Sequence, residues 1–392
     1  MNNVKSNIWK FFIYILTIRR SYITILSIYF LTLPNTTANM IGLYTGIGNL
    51  AVFLLEIPSG YFSDRFGHKN TLILSKISML LSSISFIFIQ NLYGFIFASI
   101  LLSIAIAFSS GTSSAFFHET LESLGREKEY SKLMGRIRGN VSLISMILII
   151  LLPFLTKIDI LLPLIITLFL DFIGLIISFS FVNPKSKKNL NELKIKSVLE
   201  IFKEAKKLNF LPFIIFVSAI SGFLIAESPF RYIYLESLGY PIILVGFVMG
   251  LSRLVWFIVG RYSYLIEKYF TMKQHLIFEL FFFTIYFFLI AYFSNPYIIA
   301  SIVIIGVGYL WGRSQVIESY ILNNYISDKN YKATLLSIKS QVELFFQVII
   351  PFFIGFIMNY SYKLGYYILG ISLFFILLSS FLFIKNSSNK IN

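Results

Sequence analysis

The sequence predicts an all-α integral membrane protein with twelve transmembrane helices in two six-helix bundles. Three observations predict it. Of 392 residues, 57% are hydrophobic and only 13% are charged, against roughly 45–50% and about 25% in a soluble domain. Mean hydropathy is +0.79. The apolar residues also fall into twelve runs of membrane-crossing length, parted by Pro, Gly, Asn and charge clusters. A helix crossing hydrocarbon needs about 20 such residues and must satisfy its backbone internally. Finally, the formal charge of +15 is concentrated in alternate loops, as in the cytoplasmic loops of membrane proteins. The first observation excludes a soluble globule and a disordered chain. The last removes the nucleic-acid partner that a basic chain would otherwise suggest.

The runs follow in order. The first, 11–33, comes after Lys5 and Lys10 and contains Arg19 and Arg20. It lacks a small-x-small cleavage site, so an uncleaved span is expected rather than a signal peptide. The second, 40–62, is closed by the charges of 64–69; the third and fourth occupy 71–90 and 93–117. The fifth and sixth, 139–156 and 160–182, are divided only by Thr156–Asp159. A Lys-rich stretch at 183–209 then separates the halves, and the remaining runs are 210–235, 242–261, 274–293, 297–322, 337–359 and 364–384. The expected organisation is an N-terminal bundle at 1–182, a basic cytoplasmic linker at 183–209 and a C-terminal bundle at 210–392. The linker reads as a solvated segment beside anionic headgroups or as a regulatory, partner-binding one.

With the N-terminus inside, the inside loops hold 25 basic and 9 acidic residues, while Lys157 and Lys363 balance Asp159 and Glu236 outside. A miscounted span would invert every later loop and destroy this asymmetry. A multi-pass protein of the cytoplasmic membrane is expected, with both termini cytoplasmic and a monomer as the functional unit. Cysteine is absent, and His68, His118 and His275 are scattered, so neither disulfides nor a metal centre is expected. No phosphate-cradling Gly-rich loop ending in Lys-Ser/Thr and no nucleophile elbow occurs. Neither a cofactor nor an enzymatic activity is expected.

The halves repeat one another. Lys128, Tyr130, Ile137 and Arg138 recur as Lys329, Tyr331, Ile338 and Lys339 at an offset of 201, and Gly60 as Gly260 at 200. Duplicated six-helix units are a common transporter build. Between the second and third runs stands Gly60-Tyr-Phe-Ser-Asp64-Arg65-Phe-Gly67-His68-Lys69. Here Gly60 is expected to allow close helix approach and Gly67 a tight reversal at positive φ. Asp64 and Arg65 offer charges for neighbouring helix ends in one conformation, released in another. This segment resembles the cytoplasmic loop signature of the major facilitator superfamily, and the resemblance extends over the whole chain. It implies paired bundles, alternating access, and a cavity lined by spans one, four, seven and ten. The second-half counterpart departs from the pattern, with Tyr264 where Asp would stand, which implies an asymmetric latch. Span five also lacks the Gly- and Pro-spacing of many proton-coupled drug exporters, which counts against drug/proton antiport.

Charges within spans are costly, about 2.5–3.5 kcal/mol each at mid-bilayer on insertion scales, so each needs a reason. The candidate solute or proton site comprises Arg20, Asp171, Glu227, Arg231, Arg253, Arg313 and Glu318. Arg20 has two readings: a cavity cation, or an ion pair with a carboxylate such as Asp171 or Glu119. Glu227 and Arg231 share a helix face at i,i+4, and either neutralise each other or present Glu227 to proton or solute. Glu56, Glu119, Arg136 and Arg138 form the candidate inner gate. The expected function is secondary active transport of a small organic solute, with H+ as the coupling ion and the bilayer as the other partner. Efflux of a drug, siderophore or peptide-like compound is the expected direction. The alternatives are uptake of an anionic or zwitterionic solute and, from a different class, a non-transporting sensor with the same fold.

Overall fold

The computed structural model describes residues 2–184, 210–324 and 332–384. Among them every regular element is helical. Helical residues occupy all twelve expected runs. Among the described residues ten helices are long and apolar enough to cross a membrane, and the bent pair Leu211–Ala226 and Ser228–Ser237, taken as one span, makes eleven. The first run, expected as one span, is two shorter helices, Asn7–Thr17 and Ile23–Thr32. The linker expected at 183–209 lies outside the described residues from 185 onward.

The chain divides into two compact units. One is Met1–Leu193 with Pro241–Phe247, the other Lys194–Tyr240 with Val248–Asn392. Lipid is as apolar as leucine, so helices within a bundle need more than hydrophobicity to adhere. In the first unit serine hydroxyls supply it. Ser75 and Ser82 of the third span donate to the carbonyls of Ala105 and Ala98 in the fourth, and Ser103 donates to Gly48 of the second, each at 2.7 Å. A buried cluster of Phe11, Tyr14, Leu72, Phe116, Phe117 and Phe181 fills the space between spans one, three, four and six. The Asn7 side-chain amide closes the end of this bundle, donating to the Val182 carbonyl at 2.8 Å and accepting from its N–H at 3.0 Å. In the second unit the seventh span packs on the eleventh and twelfth, and the twelfth on the ninth. Phe223 packs edge-on to Phe287 and at a tilt to Phe346, and Ser218 donates to the Lys339 carbonyl at 3.1 Å.

Spans one, four, seven and ten are each interrupted within their length. The first breaks between Thr17 and Ile23. The fourth breaks between Ser109 and Thr112, where Gly111 adopts φ +63°, a conformation glycine reaches without steric cost. The seventh bends by 44° at Glu227. Two residues on, Pro229 has no N–H for the Ile225 carbonyl, and the Ser228 hydroxyl bonds that carbonyl instead, at 2.8 Å. The tenth breaks at Arg313, between Gly312 and Ser314. Interruptions three spans apart are the backbone expression of a repeated three-helix unit.

Candidate functional site

Three of the four interruptions carry or adjoin a buried ion pair. In the first unit, Arg20 lies within the break of span one. Its guanidinium grips Asp171 of span six with two bonds, 2.7 and 2.8 Å, and its side chain is 8% exposed. Asp171 is fully buried and also accepts from the Ser83 hydroxyl at 2.6 Å. Bidentate, charge-assisted bonds of this kind are among the strong ones. Beside them Lys76 of span three is fully buried, its Nζ 3.6 Å from the Met79 sulfur and 5.2 Å from the Tyr14 ring centroid. Arg19, by contrast, is exposed.

In the second unit Glu227 occupies the break of span seven and is fully buried. It accepts from Arg231 Nε at 3.0 Å and from Arg231 Nη2, from the Tyr286 hydroxyl at 3.3 Å, and from the Tyr366 hydroxyl at 3.2 Å. Arg231 also caps the Leu224 carbonyl, which the bend frees, at 3.0 Å. Arg313, at the break of span ten, donates to Glu279 of span nine at 2.7 Å and to the Val217 carbonyl of span seven at 2.8 Å. His275 stands next to this pair, its Nε2 at 2.9 Å from the Tyr309 hydroxyl and 3.4 Å from Glu279 Oε1.

The loop motif behaves partly as its residues suggest. Gly67 adopts φ +87° and turns the chain. His68 bridges, its Nδ1 at 2.7 Å from the Ser63 hydroxyl and its Nε2 at 3.2 Å from Glu119 of span four. Arg65 is exposed and lies over the Phe66 ring, 5.7 Å from its centroid. Asp64 is half-buried, as is Lys69. The close approach expected at Gly60 is corrected: a Cβ there would meet nothing within 4 Å, because the residue faces outward near the helix end.

The remaining candidates are less buried than the pairs. Arg253 and Glu56 are half-buried, and Glu318 is exposed. Arg136 and Arg138 are both exposed, with Arg138 reaching the Ser114 hydroxyl at 3.5 Å. Among the described residues no group of three or more acidic or histidine side chains is arranged to hold a metal. Sequence reasoning counted Lys76 among the charges of the membrane zone but left it out of the candidate site, and it did not assign Glu279 to Arg313 or Ser83, Tyr286 and Tyr366 to the carboxylates. The available signal for Lys76 was its place in an otherwise uncharged serine-rich run, Thr71–Ile89.

Chemically, each arginine–carboxylate pair is neutral as a unit and sealed from solvent. Removing one partner of such a pair is expensive, about 3–5 kcal/mol, because the other charge is stranded. Substituting a second anion for the carboxylate leaves the arginine satisfied. An anion that takes the arginine would therefore strand the carboxylate unless a compensating positive charge arrives with it.

A family model described as the Major Facilitator Superfamily matches residues 11–335. A point mutant of the nucleoside transporter NupG superposes with a TM-score of 0.82 at 13% identity, covering 97% of this chain and 100% of its own. A D-xylose-proton symporter gives 0.71 at 13% identity over 99% and 98% of the two chains. A point mutant of the peptide transporter POT gives 0.70 at 12% over 96% and 94%. At these identities the likeness is one of fold. No protein of curated function matches by sequence.

Proposed function

The chain belongs to the major facilitator superfamily, and on that premise we propose that it is a proton-coupled secondary transporter of a small organic solute bearing an anionic group. Alternating access carries the solute across the cytoplasmic membrane. The supporting observation is the placement of buried Arg20–Asp171, Arg231–Glu227 and Arg313–Glu279 pairs at or beside the breaks of spans one, seven and ten. Discontinuous helices are where transporters of this architecture build solute sites. Guanidinium groups suit carboxylates and phosphates and suit a lipophilic cation poorly. The structure's neighbours are named for nucleoside, D-xylose–proton and peptide transport, all polar solutes. Co-movement of proton and anion keeps each buried cluster neutral through the cycle, which favours uptake by symport over the efflux expected from the sequence.

The test is flux in proteoliposomes containing the purified protein, under a pH gradient of either sign. The solute panel comprises labelled hydroxy acids, dipeptides, nucleotide monophosphates, hydroxamate siderophores and lipophilic cations. Accumulation of an anionic or zwitterionic member on the alkaline side, with dissipation of the pH gradient, is the expected result. Accumulation on the acidic side restores export. Movement of lipophilic cations alone, or indifference of every flux to pH, overturns the reading.

A further inference from the structure

Lys76 is a side chain with no role in the pairs described above, and its surroundings define one. It is fully buried. Among the described residues no carboxylate oxygen lies within 4 Å of its nitrogen, whose contacts are the Met79 sulfur and the Tyr14 ring. An ammonium in such a place would give up its hydration for no direct ion pair, keeping only the face of the Tyr14 ring and the more distant Asp171. The charged groups that face it are Asp171 of span six and Arg20 of span one, with Tyr14 the titratable ring beside it. Spans two and four also pack on this helix, and Glu119 of the latter is held by His68.

Span six, Leu162–Phe179, packs on span three and brings Asp171 towards Lys76. Gly174 lies one turn beyond Asp171, on the same helix face. A Cβ at Gly174 would stand 2.8 Å from Lys76 Nζ and would collide with the Thr17 hydroxyl. Only glycine leaves the amine room against this face, one turn from the carboxylate that Arg20 now occupies.

We propose that Lys76 is the proton-binding site of the transport cycle, and that it takes up its proton when Arg20 leaves Asp171 for the anion of the solute. The inference rests on the transporter reading above. With Arg20 on Asp171 and the amine neutral, the cluster sums to zero. When the solute anion takes Arg20, Asp171 is left as a bare buried carboxylate. A proton from water then bonds to the Lys76 nitrogen lone pair, and the resulting ammonium turns to Asp171. No bond within the protein breaks, and the cluster with its anion again sums to zero. One proton is bound per anion. By linkage, anion affinity rises about tenfold for each unit fall in pH above the amine's pKa.

Lysine-15N NMR of the full chain in lipid nanodiscs tests this without a known solute, the Lys76 Nζ resonance being identified by its loss in Lys76→Met. The wild type is expected to show a neutral amine at neutral pH. Arg20→Gln, which vacates Asp171, is expected to show an ammonium, and Arg20→Gln with Asp171→Asn a neutral amine once more. An ammonium in the wild type, or a neutral amine in Arg20→Gln, overturns the proposal. Folding is followed by the unfolding midpoint, which Lys76→Met should not lower, since it replaces a buried amine by an apolar chain of similar shape. In proteoliposomes carrying a panel anion, Lys76→Met should lose uphill accumulation driven by the pH gradient. Undiminished accumulation overturns the proton site and leaves the transporter standing. Absence of any wild-type flux overturns the transporter reading and leaves the NMR result to decide the charge exchange by itself.

Discussion

At the residue scale, the decisive quantity is how completely each buried charge is satisfied. Arg313 is 2% exposed and Glu279 not at all, so Arg313→Met strands a carboxylate in a dry bundle. That should cost about 3–5 kcal/mol and lower the thermal midpoint in detergent sharply. Arg313→Met combined with Glu279→Leu should recover most of the loss, because an apolar pair of similar volume replaces an ion pair at little net cost. If the double variant is no more stable than the single one, the pair is not the source of the effect. Glu227 gives a gentler case. Tyr366→Phe removes one hydroxyl donor from a carboxylate that keeps Arg231 and Tyr286. The expected loss is about 1–3 kcal/mol, read in the same melting assay, and it should exceed that of a Phe exchange at exposed Tyr360. The arginines and Glu227 were legible in the sequence because charge in a hydrophobic run is conspicuous. Their partners were less so. Ser83, Tyr286 and Tyr366 look like any hydroxyl or aromatic residue of a span until the fold brings them to a carboxylate.

Elements follow a similar division. The twelve runs were legible because hydrocarbon thickness imposes a minimum length and forbids unpaired backbone. The interruptions were not, because each turns on a few backbone bonds rather than on the apolar pattern. Span seven shows how local the cause is. Pro229 deprives the Ile225 carbonyl of its helical partner, and the Ser228 hydroxyl substitutes for it. Pro229→Ala restores that N–H, so the two pieces should join into a straighter helix. From a rise of about 1.5 Å per residue, straightening a 44° bend between 16- and 10-residue pieces lengthens the span by about 3 Å. Pulsed-EPR distances between spin labels at Leu211 and Ser237 would read this. Transport should slow at the same time, since the bend is what frees the Leu224 carbonyl for Arg231. An unchanged distance would show that packing against spans eleven and twelve holds the bend, not the proline.

For the whole molecule, charge decides orientation. The loops assigned to the inside carry 25 basic residues and those outside two, while the membrane zone holds six basic and seven acidic side chains and is nearly neutral. Placing the basic loops outside would forgo about 1 kcal/mol of attraction to anionic lipid for each Lys or Arg near the surface. It would also work against a potential worth about 2.3 kcal/mol per charge per 100 mV. Summed over many residues, this should outweigh any single helix's preference, so one topology, with the basic loops inside, is the expected outcome. The absence of cysteine makes that directly measurable, since any introduced thiol is the only one present. Asn70, Lys128, Asp159 and Tyr360 are all exposed. With a membrane-impermeant maleimide on intact cells, Asp159→Cys and Tyr360→Cys should label at once. Asn70→Cys and Lys128→Cys should label only after permeabilisation. The reverse pattern would put the Asp64–Lys69 loop outside and remove the basis for reading it as a cytoplasmic latch. A mixed pattern within the first unit would instead mean that one of the runs lying between the labelled loops does not cross.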